Sequence, residues 1–221
     1  MKAVALTHYL PIDNENAFLD VELPKPTPTG RDLLVAIKAV SVNPVDFKVR
    51  SPKDQVEDPP RVLGWDASGI VEAVGPDATL FKPGDEVYYA GDITRPGTNA
   101  EFQLVDERIV GFKPKSLNFA EAAALPLTTI TAYEAFFDRL GIDRDGASKG
   151  ESILIIGAGG GVGSIGIQLA KAAGLVVIAT ASGNQRLGEG TWRRPCGQSS
   201  RANGRAGTST GHAACRSHCN L

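Results

Sequence analysis

The sequence predicts a β-rich, barrel-like unit followed by an α/β unit that begins a doubly wound parallel sheet. Three observations carry this. Up to about residue 105, short segments of alternating apolar and polar residues are separated by Gly- and Pro-rich turns. Between residues 152 and 180, two continuous apolar runs flank a glycine cluster and a stretch of helical period. Beyond residue 182 there is no Ile, Val or Phe at all.

Taken in order, residues 4–6 open a first strand and residues 19–23, Leu-Asp-Val-Glu-Leu, alternate as a half-buried strand does. Pro24, Pro26 and Pro28 forbid regular structure after it. Residues 33–42 form a long strand, and residues 69–74 another that Gly75-Pro76 stops. Phe81-Lys82-Pro83-Gly84-Asp85-Glu86-Val87-Tyr88 reads as a turn entering a strand, and residues 100–105 alternate again. From Asn118 the pattern turns helical: residues 120–124 favour a helix, Pro126 interrupts, and residues 131–140 return to helical spacing. Residues 152–156 form a buried strand. The helix over residues 164–173 places Ile165, Leu169 and Ala172 on one face, Gly174 ends it, and residues 175–180 form a second buried strand. This is a βαβ unit.

The composition is that of a globular protein: 221 residues, 42% hydrophobic, 22% charged, net charge −2. Nothing in it points to a nucleic-acid or membrane partner. The opening apolar run is too short for a signal peptide or a membrane span, so a cytoplasmic protein is expected. The averages conceal a break. Cys196, Cys215 and Cys219, with His212 and His218, fall in residues 183–221, where six Arg face the single acid Glu189. That segment carries +5 and the first 182 residues −7.

Gly157-Ala158-Gly159-Gly160-Gly161-Val162-Gly163 lies between strand and helix. Glycines there allow a sharp turn, close approach of the backbone to a pyrophosphate, and tight helix–sheet packing, while the helix N-terminus favours negative charge. The strand–loop–helix–strand setting makes this a dinucleotide-binding loop. NAD binders place an acid at the end of the second strand to hold the ribose 2′-hydroxyl. Residues 180–186 contain none, whereas Ser182 and Arg186 suit a 2′-phosphate, so NADPH is favoured over NADH.

Four further motifs extend the pattern: residues 39–46 (Ala-Val-Ser-Val-Asn-Pro-Val-Asp), residues 63–71 (Leu-Gly-Trp-Asp-Ala-Ser-Gly-Ile-Val), residues 81–87 (Phe-Lys-Pro-Gly-Asp-Glu-Val) and residues 123–134 (Ala-Ala-Leu-Pro-Leu-Thr-Thr-Ile-Thr-Ala-Tyr-Glu). With the glycine loop, in this order and spacing, residues 1–182 resemble the medium-chain dehydrogenase/reductase family, in its zinc-type alcohol dehydrogenase-like and quinone oxidoreductase branch. The resemblance implies a GroES-like catalytic domain over residues 1–125, a partial Rossmann domain over residues 126–182, and an active site between them. It places Asn43 near nicotinamide and substrate, Thr131 against the nicotinamide side of the cofactor, and Asp46 and Asp66 near the cleft. Asp46 has a structural alternative, tying the turn after Pro44. Ala158, Gly160 and Gly163 take the key phosphate-loop positions, with Gly161, Val162 and Ser182 beside them. Trp65 shapes the pocket or fills the core, and Tyr88 and Tyr89 donate a proton or pack. The positions that hold catalytic zinc in metal-dependent relatives are Asn43, Trp65 and Leu127, none an ordinary zinc ligand, and the four-cysteine lobe of a structural zinc is missing.

The expected function is therefore hydride transfer from NADPH to a quinone or an activated enone or carbonyl, without catalytic zinc, by an enzyme that is homodimeric in its full-length parent. Two alternatives stand beside it: an inactive truncated fragment that at most binds nucleotide or associates with homologues, and a zinc-dependent alcohol dehydrogenase. Residues 183–221 read as a disordered tail, the out-of-frame translation of a frameshifted gene, because their composition buries too little apolar surface. A Cys/His metal or redox module is the rival reading of that segment, although its Cys-x-x-His-Cys spacing fits no standard zinc pair.

Overall fold

The structure, a computed structural model, describes residues 1–180. Ser182, Arg186 and the readings made for residues 183–221 lie outside the described residues. The chain divides into two compact units, Met1–Ile130 and a second from Thr131 onward.

The first unit contains two antiparallel sheets. In one, β1 (Lys2–Tyr9) lies between β2 (Leu19–Glu22) and β4 (Lys53–Val62). In the other, β3 (Asp32–Ser41), β5 (Asp66–Val74), β6 (Glu86–Ala90), β7 (Phe102–Asp106) and β8 (Val110–Phe112) take the order β7-β3-β5-β6-β8. Alternation drives the packing. Val87 and Tyr89 of β6 and Val105 of β7 turn inward onto Leu33, Val35, Ala67, Val71 and Phe81. The motif at residues 63–71 lies on the central strand β5 and just before it.

Strand β4 was not legible. Its Lys-Asp-Gln-Val-Glu-Asp-Pro-Pro run has no apolar alternation. It forms because β1 offers it one side only, and on an edge strand prolines and charges are tolerated. Helix α1 (Pro44–Arg50) also appears where only a turn was read. Its start follows from Asn43 as N-cap and Pro44 as first helical residue, the position where a missing N–H costs nothing.

Helix α2 (Phe119–Ala123) is closed by a reciprocal box in which the Asn118 side chain and the Glu121 carboxylate each accept the other's backbone N–H at 2.9 Å. The sequence reading broke the next helix at Pro126. Instead Pro126 opens α3 (Pro126–Tyr133), which runs into a π-helical turn, Glu134–Arg139. The proline is an initiator here, so the helix starts five residues earlier than its periodicity suggested.

In the second unit, β9 (Ser152–Ile155) and β10 (Val176–Ala179) pair in parallel, joined by α4 (Gly161–Ala172). The buried side of α4 is Gly163, Gly166, Ile167 and Ala170, whereas Ala172 is exposed. The expected Ile165–Leu169–Ala172 stripe is thus rotated. Glycines bring the backbone itself to the contact, and a Cβ on Gly166 would stand 3.1 Å from Cζ of Phe136. Gly174 ends the helix in the left-handed region, φ +79°. Among the described residues no helix is long and apolar enough to cross a membrane.

Candidate functional site

Two constellations emerge, one in each unit. The first centres on Asp66, at the start of β5 and fully buried. One of its oxygens accepts the side-chain amide of Asn43 at 2.8 Å, and the other accepts the backbone N–H of Leu127 at 2.8 Å. Asn43 is itself 6% exposed. Each donor belongs to a helix start: Asn43 caps α1, and Leu127 is the second residue of α3, whose N–H has no partner within its own helix. Asp66 thus lies between two helix N-termini, which favour its charge. Burial works the other way and dominates, raising its pKa to about 6; the Asn43 and Leu127 bonds pull it down, and the charge of Asp46 pushes it up.

Asp46 does what its structural alternative required. Its carboxylate accepts the Asn43 N–H at 2.7 Å, and its own N–H donates to the Asn43 carbonyl at 2.9 Å. Burial raises its pKa ahead of the lowering effect of the backbone N–H groups of Asn43 and of Asp46 itself. Trp65 packs in the core with Leu6, Tyr9 and Leu63, and Val45, Val49 and Leu127 lie against that cluster. Positions 43, 65 and 127 therefore come together in space, through Asp66 and through apolar contact. What they present is an amide, an indole and an isobutyl group, and both Asp66 oxygens already hold N–H donors. This donor set does not fit a zinc ion. Among the described residues no group of three or more His, Cys, Asp or Glu side chains could hold a metal ion.

Tyr89 is buried and donates its hydroxyl to Gln103 at 2.9 Å, and burial pushes its pKa far up, so its proton stays in the core. Among the partners that sequence reasoning missed is the Leu127 N–H. Its signal was Pro126: a proline favours the first helical position, which puts the Leu127 N–H in the first turn, where no acceptor lies within the helix.

The second constellation is the glycine loop. Gly157 turns the chain out of β9 in the left-handed region, φ +71°. The Ala158 N–H donates to the Thr180 carbonyl at 2.8 Å, and the Gly157 N–H reaches the Thr180 hydroxyl at 3.3 Å, so the loop is anchored to the end of β10. Ala158 is buried, and Gly160 caps α4 with no side chain to occupy its first N–H groups. Those of Gly161, Val162 and Gly163 have no partner within the helix. A Cβ on Gly163 would lie 2.6 Å from Cα of Ala158, so only glycine lets the helix start this close to the strand. A helix start of this geometry can receive a phosphate. Thr131 lies exposed on α3, one turn beyond Leu127.

The alcohol dehydrogenase GroES-like domain matches residues 29–131. A zinc-type alcohol dehydrogenase-like protein of Staphylococcus aureus is 51% identical over 183 residues, 82% of this chain and 54% of its own length. The crystal structure of a candidate zinc-dependent alcohol dehydrogenase from Rhizobium etli is 62% identical with a TM-score of 0.76, covering 82% of this chain and 53% of that one. Escherichia coli quinone oxidoreductase complexed with NADPH is 27% identical with a TM-score of 0.66, covering 84% of this chain and 54% of that one. The chain thus spans about half the length of the relatives it matches. With the antiparallel sheets of the first unit and the glycine-loop βαβ unit of the second, these likenesses support the resemblance of this chain to the medium-chain dehydrogenase/reductase family.

Proposed function

We propose that the protein acts as an NADPH-dependent reductase of quinones or activated enones and carbonyls, working without catalytic zinc. The observation that carries the reading is the glycine loop. Its free N–H groups at the start of α4 and the close approach permitted by Gly163 suit a pyrophosphate. On this reading residues 126–182 serve the cofactor: Gly160, Gly161, Val162 and Gly163 hold the pyrophosphate, Ala158 shapes the turn, Thr131 meets the nicotinamide side and Ser182 the 2′-phosphate. Residues 1–125 serve the substrate, with Asn43 beside the reacting carbonyl and Asp46 and Asp66 supporting it. NADPH when bound supplies a hydride; with one proton from solvent, the quinone becomes hydroquinone or the enone a saturated ketone, leaving NADP⁺.

The relatives named for zinc favour alcohol oxidation, in which a Lewis acid would polarise the oxygen. The side chains at positions 43, 65 and 127 argue against that chemistry here, and the likeness to a quinone oxidoreductase supports reduction. A cytoplasmic, homodimeric parent completes the reading. Thermal melts of the full chain with NADPH and with NADH, followed by the loss of nicotinamide absorbance with benzoquinone and with cyclohexenone, test it. An upward shift, larger with NADPH, and turnover of either acceptor are expected; no shift with either nucleotide would overturn it.

A further inference from the structure

A buried carboxylate that spends both oxygens on N–H donors from distant segments needs an explanation beyond capping a helix. Asp66 lies 23 residues from Asn43 and 61 from Leu127, so its bonds are long-range cross-links joining β5, α1 and α3. It is a poor proton source: neither oxygen is free, and it is fully buried. Its geometry is that of a two-armed clamp. Two of the three positions aligned with a catalytic metal site, 43 and 127, are tied to each other through it, and the third, Trp65, shares an apolar cluster with Leu127. The charged group facing Asp66 is Asp46, which in turn accepts the Asn43 backbone N–H.

We propose that Asp66 is a positioning residue that does the organising work of a metal ion, fixing the Asn43 side-chain amide and the start of α3 so that Asn43 meets the substrate carbonyl preoriented. This rests on the reductase reading above. Because the Asn43 NH₂ is given to Asp66, its amide has a single orientation rather than two. Replacing Asp66 by Asn sets an NH₂ group against one of the two donors and breaks one arm. Glu keeps both acceptors on a longer stem.

The test uses the full chain and the variants Asp66→Asn, Asp66→Glu, Asn43→Ala and the double variant Asp66→Asn/Asn43→Ala. NADPH affinity, benzoquinone reduction and the NMR signals of the Asn43 side-chain amide are measured. Asp66→Asn should still bind NADPH through the glycine loop and lose about 100-fold in kcat. Asn43→Ala should lose as much, the double variant no more than either, and Asp66→Glu should recover part. The Asn43 amide protons, protected in the wild type, should exchange with solvent in Asp66→Asn. Losses that multiply in the double variant, or a turnover of Asp66→Asn equal to wild type, would overturn the clamp. If wild type binds NADPH but reduces no acceptor, the reductase reading fails while the amide signals still judge the clamp: unchanged Asn43 protection in Asp66→Asn overturns it. Should Asp66→Asn not fold, Asp66→Glu and Asn43→Ala carry the same cycle.

Discussion

Asp66 shows how burial and hydrogen bonding compete at one carboxylate. Loss of water raises its pKa from 3.8 to about 6, more than the bonds from Asn43 and Leu127 lower it. The folded state therefore holds this proton more tightly than the unfolded chain does. Between about pH 4 and 6 the unfolded chain has released it while the folded protein retains it, so stability falls as pH rises through that window and levels above it. Asp106, held down by Arg108, titrates below the window. From pH 5 to pH 7 the Asp66 contribution should shrink stability by about 1 kcal/mol. Urea midpoints at the two pH values check this, with Asp66→Asn as the control: the difference between the proteins should change with pH, and parallel slopes would remove Asp66 as the cause. Asn43, Asp46 and Asp66 were legible as motif residues. Their pairing was not, because a pattern of residue types along a chain carries no information on which N–H a buried oxygen will find 61 positions away.

At the level of elements, the glycine loop and α4 separate two roles that one motif combines. A Cβ at Gly163 would stand 2.6 Å from Cα of Ala158 and 2.8 Å from the Gly157 carbonyl, both backbone atoms that cannot yield cheaply. Gly163→Ala should cost about 1–3 kcal/mol by forcing α4 off the strand. Gly160 has an ordinary φ of −82°, and its nearest contact for a Cβ is 3.4 Å. Gly160→Ala should leave stability within about 0.5 kcal/mol, yet place a methyl where, on the proposed reductase reading, a pyrophosphate approaches the backbone. Thermal melts with and without NADPH distinguish the two: a lowered midpoint and no shift for Gly163→Ala, a normal midpoint and a diminished shift for Gly160→Ala. If Gly160→Ala binds NADPH like wild type, the phosphate lies elsewhere. The βαβ unit was legible because two apolar runs and a glycine cluster leave one arrangement. Strand β4 and the start of α3 were not, since an edge position excuses prolines and charges, and a proline can open a helix as readily as end one.

For the molecule as a whole, the two units differ in how completely they bury what their sequences prepared for burial. In the first, alternating strands enclose a core between them. In the second, the continuous apolar runs of β9 and β10 are those of strands covered on both faces, and α4 covers one. Ile153, Ile155, Val177 and Ala179 belong to the cluster beneath α4, whereas Leu154, Val176 and Ile178 are 58%, 53% and 51% exposed, and Ile156, just beyond β9, is 80% exposed. The register sets Ile178 beside Leu154, so these side chains form one continuous apolar strip. Such a strip attracts hydrophobic dyes and promotes association at high concentration. Replacing Leu154 and Ile178 together by Lys should reduce dye fluorescence and light scattering. Neither residue belongs to the glycine loop, so the rise in melting temperature that the reductase reading expects with NADPH should remain. Dye binding as strong as in the wild type would mean that the sticky surface lies elsewhere. A lost NADPH shift would mean that this face contributes to holding the loop against β10, and that the apolar runs serve the cofactor site as well as the core.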